Sequence, residues 1–153
     1  MPYSDYDKSA RCLDKRRCLK QIIEAKQIIN ILNGESSGWK NHPAVRMWEG
    51  YKLSLIDYYN ACWKAGKEKW KFNYVKLQPI FRKLILVEPP RWLEYPRFHS
   101  EMRANLLRKN TEYYSQYDWM EQPKEGYFWP CDIKGVLKEE IVLWKQTQIG
   151  QEA

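Results

Sequence analysis

At 153 residues the chain has room for one domain with a real core. Its net charge of +7 and its 15% aromatic content, with 8 Trp and 11 Tyr, suit nucleic acid, because cations meet phosphates and flat rings stack on exposed bases. The four Cys show no CxxC spacing and neither His lies near a Cys pair, which excludes an ordinary zinc site, and no apolar run reaches the length of a membrane span. The plainer alternative is that the rings fill a core and the charge only aids solubility. With no signal peptide, the scattered cysteines read as reduced thiols in a cytoplasmic compartment.

Residues 1–8, "MPYSDYDK", read as extended and polar. A helix is expected from about Asp14 to Leu32, with Asp14 as its cap and "NGESSG" as its end. "GWKNHP" (38–43) is a turn, punctuated by Gly and Pro. From Pro43 to Ala65, Val45, Trp48, Leu53, Leu55, Ile56, Tyr59 and Trp63 recur at helical spacing, with Pro43 suited to the first turn and Gly66 to the end. A short helix is expected around Leu77 to Val87, closed by "EPP", and another from His99 or Ser100 to about Arg108. "PKEGYFWP" is loop. "KGVLKEEIVLWKQTQ" makes a last helix with Val136, Leu137, Ile141 and Trp144 on one side. No period-2 strand, internal repeat or low-complexity tract is present. The expected fold is mainly α: a compact single-domain bundle of about four to five helices with long aromatic-rich loops. Residues 1–131 would form the domain and 132–153 a helical extension packed on it.

On the helix from residue 16 to 32, at about 100° per residue, Leu19, Ile22, Ile29 and Leu32 share one side. Arg16, Arg17, Lys20, Gln21, Glu24 and Gln27 share the other. A solvated face with a Lys20–Glu24 pair at i,i+4 would be worth a few tenths of a kcal/mol, and most helices need no more explanation than that. In the functional alternative the cations hold a phosphate backbone and Glu24 does chemistry beside it. Nearby phosphates raise the proton affinity of a carboxylate, which suits an acid/base role.

"SARCLDKRRCLKQIIEAKQI", "GWKNHPAVRMWEGY", "FHSEMRANLLRKNTEYY" and "YFWP", in that order, resemble a bacterial and viral group within the pyrimidine-dimer DNA glycosylase superfamily (endonuclease V type), over residues 2 to about 130. The resemblance implies a compact helical fold and a glycosylase with coupled abasic-site lyase activity on damaged DNA. The N-terminal α-amine would attack C1′ and form a Schiff base, a glutamate in the first long helix would be essential, and arginines would hold phosphates. Glu24 falls at the glutamate's place, with Gln21 and Arg17 on the same polar face. Two arginines expected near it are replaced by Ile23 and Gln27, for which Arg16, Lys20 and Arg46 could substitute. "TEYYSQYDW" resembles the aromatic tail that approaches the lesion, which makes Tyr113, Tyr114, Tyr117 and Trp119 stacking candidates.

The amine itself would be Pro2 once Met1 is removed, with Lys20 as the internal alternative. His42, in the "NHP" turn with Asn41, is a candidate for phosphate contact or proton transfer, or else it fixes the turn. His99 and Arg103, an i,i+4 pair, with Arg108 and Lys109 on the same helix, would supply a second basic wall. Metal and cofactor are not required, the partner is a damaged or modified duplex, and no membrane is involved. The competing readings are a nucleic-acid-binding module without chemistry, and a different nucleotide-directed enzyme on the same scaffold. The oligomeric state is left open.

Overall fold

Asp14 opens one of the two long helices of the chain. Its Oδ1 accepts the Arg17 amide at 3.0 Å, which satisfies one of the free donors at the helix start. In the computed structural model, which describes residues 1–152, this helix is α2 (Lys15–Leu32). It follows α1 (Tyr6–Cys12), capped by Asp5. The chain continues through α3 (Pro43–Arg46), α4 (Lys52–Trp70), α5 (Pro96–Lys109), α6 (Thr111–Tyr114), a 3₁₀ turn (Ser115–Tyr117) and α7 (Glu139–Glu152). Among the described residues there is no strand, only an isolated antiparallel bridge between Cys131 and Leu137. The expected mainly helical fold is what forms, with more and shorter helices than anticipated.

Helices α2 and α4 form the centre, and α1 packs on α4. Cys18, Ile22, Ala25 and Ile29 of α2 meet Leu55, Tyr59 and Cys62 of α4 in one buried cluster. Leu19, assigned to the apolar side from spacing, is instead 38% exposed, because the buried stripe runs through Cys18 and Ala25 rather than Leu19. Trp92 closes one end of the core. Its indole N–H donates to Met47 O at 2.8 Å, and its ring meets Trp48 and Phe98 at centroid distances of 5.0 and 4.8 Å.

Several boundaries differ from the expectation for local reasons. The stretch expected as one helix over 43–65 is two, because Gly50 takes φ +78° between α3 and α4. Gly66 does not end α4. A side chain there would overlap the Tyr74 hydroxyl and the Phe72 ring, so the glycine lets the returning chain lie on the helix. The helix ends at Lys71, at φ 56°. The helix expected over 77–87 does not form. Side chains of α4 take its carbonyls instead: Trp63 donates to Leu77 O, Tyr59 to Gln78 O and Asn60 to Ile80 O. Helix α5 begins at Pro96, in the first-turn position that proline favours. Val136 and Leu137 precede α7, which is held by buried Ile141, by Trp144 against Tyr95 (5.6 Å), and by Glu140 to Tyr95 and Arg97. Met1 and Pro2, read as part of a polar extended arm, are buried.

Candidate functional site

One face of α2 opens onto a cavity of about 460 Å³. Arg17, Lys20, Gln21 and Glu24 line it because they recur every three to four residues on a 3.6-residue helix. Leu55 and Tyr58 of α4 and Phe98, Leu106 and Lys109 of α5 form further walls. Trp39, His42 and Trp48 enter from the segment between α2 and α4, and Tyr127, Phe128 and Trp129 from the loop before α7. Met1 and Pro2 complete the lining. The size lies within the usual range for a pocket that takes one small ligand.

The Glu24 carboxylate is held on both oxygens. Gln21 Nε2 donates to Oε2 at 3.0 Å, and Lys20 Nζ lies 3.6 Å from Oε1. Gln21 is oriented in turn by Tyr58, whose hydroxyl donates to Gln21 Oε1 at 2.9 Å. Burial raises the Tyr58 pKa well above its ordinary value, so the hydroxyl stays protonated and remains a donor. That bond settles which end of the amide faces Glu24.

Across the cavity, His42 Nδ1 accepts the Ala44 amide at 3.0 Å and caps α3. In the neutral ring the hydrogen therefore sits on Nε2. The imidazole stands edge-on to Trp39 at 5.6 Å and Trp129 at 5.2 Å, and Trp129 stacks on Tyr127 at 5.3 Å. Lys109 Nζ donates to the Tyr127 hydroxyl at 2.5 Å. Burial raises that hydroxyl's pKa, but the bond and charge of Lys109, with Asn105 and the charge of Lys20, together more than offset this, and the result lies below the ordinary tyrosine value.

The first residues are pinned from α5. His99 Nδ1 bonds Met1 O at 3.0 Å, and its Nε2 bonds Leu93 O. Arg103 Nη1 donates to Pro2 O at 2.8 Å, while its Nε holds Glu121 at 2.7 Å. Burial lowers the Met1 α-amine from 8.0 to about 6, so the amine is largely neutral at pH 7. Burial also lowers the His99 pKa. Both groups bind fewer protons folded than unfolded, so stability should rise with pH. For the chain bearing Met1, burial of the amine should cost about 2 kcal/mol more at pH 6 than at pH 8, and His99 adds to the loss below its ordinary value of 6.5. Urea midpoints at pH 8 and pH 6 measure this, and equal midpoints would contradict a buried amine.

The residues singled out from sequence divide accordingly. Glu24, Lys20, Pro2, His42, Arg17, Gln21 and Lys109 share the cavity. Arg16 is exposed outside it. Arg46 spends its guanidinium on Asn41 Oδ1 (2.6 Å), Glu49 (2.5 Å) and Ile133 O (3.1 Å), which fastens the 131–137 turn and leaves Arg46 and Asn41 bonded to each other. His99 and Arg103, expected on a basic wall, face inward to the chain's start. Arg108 is exposed, reaching Asn105 at 3.2 Å.

The stacking candidates from the 111–119 stretch lie elsewhere. Tyr114 is buried and donates to Asp14 at 2.8 Å, Tyr113 donates to Leu13 O at 3.3 Å, and Trp119 donates to the Tyr3 hydroxyl at 2.7 Å. Tyr117 stacks on Trp119 at 5.3 Å. None of the four lines the cavity. Rings that do line it, among them Trp39, Tyr58, Tyr127 and Trp129, were missed as stacking candidates. The available signal was "YFWP", an aromatic block that carries part of the family resemblance but was assigned to loop with no stacking role.

Among the described residues, no group of three or more His, Cys, Asp or Glu side chains is placed to hold a metal, and no helix is long and apolar enough to cross a membrane. Burial pushes the thiol of Cys12 up to about 12 and that of Cys18 to about 11, so neither supplies a thiolate near neutral pH.

No curated protein and no solved structure matches the chain. Residues 1–75 match the sequence profile of the family described as pyrimidine dimer DNA glycosylase. That segment spans α1 to α4 and supplies Glu24, His42, Tyr58 and the chain's first residues to the cavity. Over those residues, just under half of its length, the chain is similar to the pyrimidine dimer DNA glycosylase family.

Proposed function

We propose that the cavity receives a nucleotide turned out of a damaged or modified DNA duplex, and that the chain cleaves its glycosidic bond and then nicks the abasic site. The observation that carries this reading is that Glu24 and the chain's first residues, far apart in sequence, line one ring-walled cavity. An everted base gains stacking energy on aromatic rings, of the order of 1–3 kcal/mol per base, and Trp39, Trp129 and Tyr127 offer such rings.

The α-amine adds to C1′ as the bond from C1′ to the base breaks, and the departing base takes a proton from solvent. The C1′–O4′ bond then opens, the proton on nitrogen passing to O4′, and the resulting iminium acidifies the C2′ hydrogen. Glu24, oriented by Gln21 and Tyr58, stabilises positive charge at C1′ and then takes that hydrogen as the 3′ phosphate departs. Pro2 is the amine once Met1 is removed, and the bond from Arg103 to Pro2 O holds that end of the chain in register. Arg17, Lys20 and Lys109 at the rim hold phosphates.

A second reading, DNA binding without chemistry, is favoured by Ile23, which is 40% exposed where the resemblance calls for an arginine. Release of free base from an irradiated or otherwise damaged duplex decides between them. The glycosylase reading expects free base and a nicked strand. Salt-sensitive binding with intact substrate would leave only the binding module.

A further inference from the structure

The segment between α4 and α5 carries an apolar edge that the DNA reading does not use. Phe81, Leu84 and Leu86 are 94%, 101% and 102% exposed, within the run "FRKLILVE" (81–88). Isolated exposed apolar residues are ordinary, but three in one short extended run, each almost fully in water, are not. The run is tethered to α4 at one end only. Ile80 exchanges hydrogen bonds with Asn60 (2.9 and 2.7 Å), and Arg82 forks onto Asp57 (2.8 and 2.7 Å). Beyond that anchor, Arg82 Nη1 donates to Lys83 O and Ile85 O, and Ile85 N–H donates to Lys83 O.

The backbone groups engaged past Arg82 therefore belong to residues 83 and 85. The backbone groups of Leu84, Leu86 and Glu88 have no protein partner among the described residues. In an extended chain alternate residues present their N–H and C=O to opposite edges, so one edge is occupied at residues 83 and 85 while the edge of 84, 86 and 88 is open. Pro79 before the run and Pro89 and Pro90 after it limit the open edge to this stretch, because proline donates nothing to a ladder.

We infer that residues 82–88 pair antiparallel with the same segment of a second copy of this chain, through a two-fold axis at Ile85. The charge pattern selects the occupant. Arg82 and Lys83 open the run and Glu88 closes it, so antiparallel copies set cations against the acid at both ends, whereas parallel copies oppose like charges. In that register Leu84 faces Leu86 of the other copy on each side of the axis, which covers the two most exposed leucines together. The surface lies away from the cavity. Leu55 and Tyr58 of α4 face the cavity, while Asp57 and Asn60, each two residues further on, project about 200° round the helix. A dimer formed there leaves both cavities open. The contact is small, so the dimer is a concentration-dependent one.

Sedimentation equilibrium of the full chain, from micromolar to millimolar protein, tests this. Mass should climb towards twice that of one chain. Leu84→Glu with Leu86→Glu should remain monomeric with unchanged helix content. Glu88→Arg should also remain monomeric, because it sets a cation against Arg82 of the other copy at both ends. A monomeric wild type throughout, or a dimer that survives the two Leu→Glu substitutions or Glu88→Arg, would overturn the inference. So would a monomeric wild type whose DNA affinity drops with Leu84→Glu, since the edge would then be a nucleic-acid contact.

Discussion

Glu24→Gln should lower base release and strand nicking by about 10²–10⁴-fold, the usual worth of a positioned acid/base group, while DNA affinity stays near that of the wild type. The substitution is close to isosteric. It keeps an oxygen for Lys20 but removes the charge that stabilises a cationic sugar and the base that takes the C2′ hydrogen. Binding is spared because the cations at the rim are untouched, and losing a negative charge beside phosphates can only help association. Single-turnover release of base, read beside an equilibrium binding titration, separates the two effects. Unchanged turnover would reduce Glu24 to half of the exposed i,i+4 pair with Lys20, at 3.6 Å.

Arg103→Ala should cost about 10²-fold in the same reaction without touching the phosphate grip, because a shift of about 1 Å in a reacting group is enough for such a loss. The argument is positional. Arg103 Nη1 holds Pro2 O at 2.8 Å, and its other nitrogens hold Glu121, so its removal frees the carbonyl beside the amine and strands a carboxylate. Arg103→Lys should recover little, since one ammonium cannot serve both partners as a planar fork does. The readouts that separate this from general unfolding are an unaltered slope of log affinity against log salt and intact helix content. A flattened slope would instead return Arg103 to the DNA surface, where the sequence reading placed it.

Which parts of the site are legible in the sequence follows from how far apart the bonded partners lie. Helix α2 is readable because its information is local: Asp14 caps the amide three residues on, and the polar face repeats every turn. Glu24 is found for that reason. The roles of His99 and Arg103 are not, because i,i+4 spacing says only that two side chains share a helix face, and their partners are carbonyls 98 and 101 residues away. The aromatic walls fail for a related reason. Tyr127 and Trp129 sit in a loop without periodicity, tied to the cavity by Lys109, whereas the denser ring cluster at 113–119 packs on α1 and the start of α2. The helix expected over 77–87 had the right apolar content, but side chains of α4 had already claimed its carbonyls.

The most direct measurement is borohydride trapping on a duplex that carries an abasic site or a pyrimidine dimer, with the adduct mapped by peptide mass. A covalent product at the first residue of the chain, Pro2 after loss of Met1 or Met1 itself, formed by wild type and retained by Glu24→Gln on a preformed abasic site, is the predicted result. An adduct at Lys20, or free base released with no adduct anywhere, would contradict it.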